Sequence, residues 1–192
     1  GDDPLYGGIA PGANLIHLKV FPDEGGLASF SAIERALRWV VSNAARYNIA
    51  SVNMSLGETA NYAQPRTDPG LSDELARLAE LNVIVCASAG NEFGDFGSAQ
   101  GLSYPAADPN VLAVGAVYDR NMGGQRYGGG VRATRTGPDR ITPFSQRAGW
   151  MRQIFAPGAP ATGAGPEDAL LTQQRLAHQI LDRLHRFRIG HT

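Results

Sequence analysis

Cysteine is almost missing from this chain. Cys86 is the only one, so no disulfide can close within the chain, and cysteine usage assigns no redox compartment. Lysine is equally scarce, with Lys19 alone among the arginines. Neither sign of charge is in excess. A net charge of −1 offers no electrostatic hold on nucleic acid or an anionic membrane. No apolar run reaches the length of a bilayer span. Gly1-Asp2-Asp3-Pro4 has neither the basic start nor the apolar stretch of a secretion signal, and it reads as an internal cut in a longer protein. Serine, too, stops early: none follows Ser145.

What remains is an ordinary globular composition. The 192 residues are 43% hydrophobic and 18% charged, enough for one domain with a sizeable core. Apolar β-rich runs alternate with helical patterns. Residues 15–21 read as a strand. Ser31-Ala32-Ile33-Glu34 then has the form of a capping box. Ile33, Ala36, Leu37, Val40, Val41 and Ala44 follow on one helical face. Residues 49–56 read as a second strand. After Pro69-Gly70, Ser72 is placed to cap a helix that buries Leu75, Leu78 and Ala79 and stops at Asn82. Residues 83–87 form a third strand, apolar throughout, as expected where helices cover both faces of a sheet. Residues 111–117 are a fourth. This alternation predicts an α/β fold with a mostly parallel sheet and helices on both faces. Residues 61–70 and the arginine- and glycine-rich residues 121–140 are loops, the second an exposed insertion.

Ligands of an open α/β sheet gather beyond the carboxyl ends of its strands. Two such ends are unusual here: Ser55-Leu56-Gly57 and Ala87-Ser88-Ala89-Gly90-Asn91-Glu92. Small residues let a substrate backbone approach closely. Asn91 offers a neutral amide donor able to stabilise a developing oxyanion. The plainer alternative is that Gly90-Asn91 only makes a turn with positive φ. Gly128-Gly129-Gly130 hints at a phosphate loop, but no G-x-G-x-x-G lies between a strand and a helix. Cys86, inside an apolar strand, reads as a buried inert thiol. His17 reads as a core or surface residue, and His178 and His185 as solvated positions seven apart rather than a metal pair.

Read in order, several segments resemble the subtilases, the subtilisin-like serine proteases. They are Gly8-Ile9-Ala10-Pro11-Gly12-Ala13-Asn14-Leu15, Ser51-Val52-Asn53-Met54-Ser55-Leu56-Gly57, Ala89-Gly90-Asn91-Glu92 and Tyr104-Pro105-Ala106. Val111-Leu112-Ala113-Val114-Gly115-Ala116-Val117, Phe144-Ser145 and Ile154-Phe155-Ala156-Pro157-Gly158 complete the series. Each is weak alone, and their shared order is what makes them specific. The resemblance implies a three-layer subtilisin-like fold, incomplete at both ends. Residues 1–158 would be a partial peptidase domain. Residues 159–192 would be a divergent tail, helical from about 166 with Leu176, Ile180, Leu184 and Phe187 in one stripe.

The resemblance also assigns roles. Asn91 would be the oxyanion-hole side chain. Ser55, Leu56 and Gly57 would pair with the substrate backbone. Ser88, Ala89 and Gly90 would wall the main specificity pocket, with Glu92 at its rim, and Tyr104-Pro105 would be cis. The partner implied is a peptide or protein substrate. No cofactor is evident; structural calcium and a secreted or cell-surface location follow from the family alone. The family's triad runs aspartate, histidine, serine. Asp2 and Asp3 lack the Thr-Gly or Ser-Gly that follows its aspartate, and no Gly-Thr-Ser motif follows Ala156-Pro157-Gly158. Ser88 and Ser145 have no motif-placed histidine to activate them. Two functions are therefore in view: a piece of a serine endopeptidase, or a catalytically dead peptide- or protein-binding module.

Overall fold

The computed structural model of the chain describes Ala10 and residues 12–159. Residues 160–192, where the tail helix is expected and where His178 and His185 fall, lie outside the described residues, as do Asp2, Asp3 and Gly8.

The sheet is parallel. Strands β1 (Ser51–Met54), β2 (Ile84–Ser88), β3 (Val111–Tyr118) and β6 (Gln153–Ala159) lie in the order β1-β2-β3-β6, and every pair among them is parallel. Two-residue strands β4 (Gln125–Arg126) and β5 (Arg132–Ala133) form a separate antiparallel ribbon in the predicted insertion. Most of that insertion is exposed, as expected, although Thr136 is buried.

Helix α1 (Phe30–Tyr47) buries Ile33, Leu37, Val40 and Ala44 of the predicted stripe, while its Ala36 and Val41 are half-buried. Its cap is Ser29 rather than Ser31: the Ser29 Oγ accepts the Ala32 N–H at 3.2 Å. Asn48 closes the helix in the left-handed conformation and donates its N–H to Ala44. Helix α2 (Ser72–Glu80) buries Leu75 and Leu78, whereas Ala79 is exposed. Ser72 is its first residue, not its cap. The Ser72 Oγ instead donates to buried Asp108 at 2.5 Å and accepts from the Asp68 N–H. A serine serves as a cap only if its hydroxyl is free to turn back on the helix, and here a buried carboxylate claims it.

Alternate residues of β2 and β3 point to opposite faces. Val85, Ala87, Val111 and Ala113 join both helices in the main hydrophobic cluster, while Cys86, Val114 and Ala156 form a second one. Among the described residues, then, α1 and α2 share one face of the sheet. The strand expected over 15–21 is absent. Those residues have no regular secondary structure and no ladder partner among the described residues, and a segment becomes a strand only against a neighbour. Conversely, β6 is not among the expected strands; its residues enter only as the motif Ile154-Phe155-Ala156-Pro157-Gly158. Among the described residues β6 lies at the sheet's border, and its Pro157 pairs with Val117 beside a register shift at Val117/Tyr118, a setting in which a proline is tolerated.

Candidate active site

The register of the sheet sets where the loops emerge. Met54 pairs with Ala87, so the carboxyl ends of β1 and β2 finish almost level, while β3 continues past Val114, the partner of Ser88, to Tyr118. The next residues of β1 and β2 must then lie side by side. The Ser88 Oγ donates to the Leu56 carbonyl at 3.2 Å, joining the two unusual ends directly. Gly57 packs so closely that a Cβ there would meet the Ser103 Oγ and the Tyr104 carbonyl. The Tyr104-Pro105 bond is cis, as expected. Burial pushes the Tyr104 phenol up to about 12.

Beyond these ends lies a cavity of about 900 Å³. Ser55, Ser88, Ala89, Gly90, Asn91 and Glu92 all reach its wall, so six of the eight predicted site residues converge there. Leu56 and Gly57 do not; they continue along the flank next to Ser103. The Asn91 side chain is exposed, and among the described residues its amide makes no hydrogen bond. Its backbone N–H donates to the Glu92 Oε2 at 2.8 Å. Gly90 has φ +110°, a conformation that favours glycine, so the turn alternative for Gly90-Asn91 is also true of the backbone.

Several wall residues carried no signal in the sequence. Met122, Gln125 and Tyr127 come from the insertion. Tyr127 packs edge-on to Phe144 with ring centroids 4.8 Å apart, and its hydroxyl lies 2.7 Å from that of Tyr118. Burial, then this hydroxyl pair, raises the Tyr118 phenol. Ser145 is buried, and its Oγ accepts the Ala116 N–H at 3.0 Å. Cys86 is a buried thiol pushed up to about 11 by burial, as its apolar strand implied. His17 sits on the exposed 15–21 segment. Among the described residues no group of three or more His, Cys, Asp or Glu is arranged to hold a metal ion, and no described helix is long and apolar enough to cross a membrane.

A parallel sheet whose second strand ends in Ala89-Gly90-Asn91-Glu92 at a cavity, beside a cis Tyr-Pro, matches known proteins along its length. The profile of the subtilase family covers residues 1–184. The chain belongs to the subtilase family. Subtilisin E of Bacillus subtilis (strain 168) is 36% identical over 115 residues, which is 60% of this chain and 27% of the relative. The thermostable alkaline protease of Halalkalibacterium halodurans is 33% identical over 119 residues, 62% of this chain and 28% of that one. Among solved structures, the prenylagaramide maturation protease PagA superposes with a TM-score of 0.62 at 26% identity, over 88% of this chain and 54% of that chain. Sphericase shares the fold with a TM-score of 0.65 at 22% identity, over 92% of this chain and 55% of that chain. This subtilase chain thus spans about a quarter of those curated relatives and about half of those solved chains.

Proposed function

We propose that the described residues are the substrate-binding and oxyanion-stabilising part of a subtilisin-like serine endopeptidase. The observation that carries this is Asn91: a free side-chain amide at the wall of the cavity, on a backbone fixed between β2 and the segment at Phe144. In acyl transfer the attacked carbonyl oxygen gains negative charge, and a preorganised neutral donor stabilises that charge most where water is excluded. An extended peptide would lie along Ser55, Leu56 and Gly57. One of its side chains would enter the cavity beside Ser88, Ala89 and Gly90, with Glu92 at the rim.

Cleavage also needs a nucleophile and a base. Ser88 gives its hydroxyl hydrogen to Leu56, and Ser145 is buried against Ala116. Neither is set up as a nucleophile. This favours a second reading for the isolated chain, a peptide-binding module without covalent chemistry. A fluorophosphonate probe, which labels activated serines, separates the two. We expect no stoichiometric labelling. Labelling that is lost in Ser88→Ala or Ser145→Ala would establish a nucleophile within the chain. Titration with an extended peptide should show weak binding that Asn91→Ala leaves unchanged. Binding lost in Gly57→Val is expected if the peptide runs along that flank; full binding retained there would sink the groove assignment.

A further inference from the structure

We infer that Gln146 is a positioning residue for Asn91, tying the oxyanion loop to the substrate-binding flank; the inference rests on the reading of Asn91 given above. Gln146 is fully buried, at 0% exposure, the only described glutamine that is. Both its backbone and its side chain are committed. Its N–H donates to the Gly90 carbonyl at 3.0 Å. Two residues before it, the Phe144 carbonyl accepts the Phe93 N–H, also at 3.0 Å. The segment Phe144-Ser145-Gln146 therefore grips the loop on either side of Asn91-Glu92.

The side chain extends this grip to a third segment. Its Nε2 donates to the Ala60 carbonyl at 2.9 Å and to the Asn61 Oδ1 at 2.7 Å. Those residues lie just past Gly57. Two acceptors on one nitrogen fix which end of the amide is which. The Oε1 is thereby turned onto the Cα of Gly90, where a Cβ would collide with it. It is buried without a hydrogen-bond partner. A fold ordinarily avoids that loss, and here it is the consequence of placing the amide against Gly90. Finally, the Gln146 carbonyl accepts the Gln153 Nε2 at 2.9 Å, at the start of β6.

One side chain thus joins Ala60-Asn61, the continuation of the proposed peptide flank, to the glycine next to the proposed oxyanion donor. Ser103 also packs between Gly57 and Gly90, but the side-chain hydrogen bonds that reach out to Ala60 and Asn61 are those of Gln146. The Ser88 hydroxyl joins the strand ends below, and Gln146 joins the loops above. Removing its two donors should leave the sheet intact and let Asn91 wander.

The test uses the whole 192-residue chain and the variants Gln146→Met, of similar volume without donors, and Asn61→Ala, which removes one acceptor from the far side. Two readings are taken. The first is amide exchange at Phe93 against exchange in β2 and β3. The second is the affinity ratio between a peptide phosphinate, whose tetrahedral anionic oxygen mimics the oxyanion, and the matching plain peptide. We expect both variants to speed Phe93 exchange about tenfold or more with β2 and β3 unchanged, and to lower the ratio by a similar factor. Unchanged Phe93 exchange, or a ratio as in the original chain, overturns the inference. Should Gln146→Met fail to fold, Asn61→Ala decides by the same readings. Asn91→Ala separates the two claims. If it does not lower the ratio, the reading of Asn91 fails. If it does and Gln146→Met does not, the reading of Asn91 stands and the role of Gln146 fails.

Discussion

Residues 15–21 and Gln153–Ala159 are both short and mostly apolar. Only the second is a strand. Gln153–Ala159 lies in register with β3, from Ala113↔Gln153 to Ala116↔Ala156 and beyond. It places Ala156, Gly158 and Ala159 inside despite its proline. Residues 15–21 keep half of the same logic. Leu18 and Val20 lean on the main cluster, two residues apart as on one face of a strand, while Leu15 is 77% exposed. The difference lies in the neighbour, not in the residues. Backbone N–H and C=O groups that find a ladder become a strand, and those that do not face water. The stability of this chain should accordingly reside in the β1-β2-β3-β6 sheet and the helices on it.

The largest expected effect tests that claim at its centre. Leu78 of α2 is fully buried over the sheet. Leu78→Ala should cost about 2–5 kcal/mol, the range for emptying a core leucine site. Urea unfolding checks it. A loss below about 1 kcal/mol would mean the packed region is not where stability lies.

Next comes the seam that makes β6 a strand. Gly115 pairs with Phe155, and a Cβ at Gly115 would run into the Phe155 ring and the Ser145 Oγ. Gly115→Ala should therefore destabilise by about 1–3 kcal/mol through overpacking. Gly12→Ala is the control, since nothing lies within contact of its Cβ position. Equal effects of the two substitutions would break the comparison between the regions.

These same particulars show what the sequence could tell. Alternation of periods placed both helices and three strands of the sheet, because apolar spacing is a local property. The small residues of Ser88-Ala89-Gly90-Asn91 were legible for a similar reason: their chemistry is local. Gln146 was not. A glutamine after Phe-Ser carries no pattern, and its meaning depends on Ala60, Asn61 and Gly90, which are distant in the chain. The failure at Ser72 has the same root. Its hydroxyl was read as a helix cap, yet Asp108, 36 positions on, holds it. The wall residues Met122 and Tyr127 were hidden in an insertion that composition marked only as exposed.

A third, smaller effect should appear at alkaline pH in the paired region. Cys86 of β2 is 1% exposed, and burial raises its thiol from 9.0 to about 11. In the unfolded chain the thiol ionises from about 9, while in the folded chain it stays neutral to about 11. The unfolded state therefore loses protons first, and folding stability falls as pH rises between those values. Below pH 9 the contribution is whole. A loss on the order of 1 kcal/mol is expected by about pH 10. Comparing the urea midpoint at about pH 8 and about pH 10 reads it. Cys86→Ala should flatten that part of the profile, and an unchanged slope in the variant would assign the loss to other groups.

The smallest expected effect lies in the unpaired region and is the most telling against the comparison. Leu15 is 77% and Leu27 93% exposed. If residues 15–27 contribute to the fold only through Leu18, Val20 and Ala28, which pack against the main cluster, then Leu15→Ser and Leu27→Ser remove no buried surface. Each should change stability by no more than about 0.5 kcal/mol, as surface substitutions do. Leu18→Ser, one turn of alternation away, should cost more than either, because it takes half-buried apolar area from the cluster and puts a hydroxyl there. The order matters more than the sizes. A Leu15→Ser loss that equals the Leu18→Ser loss would mean that residues 15–21 are packed on both sides in solution. The segment would then be a strand with a neighbour, and the contrast with Gln153–Ala159 would collapse.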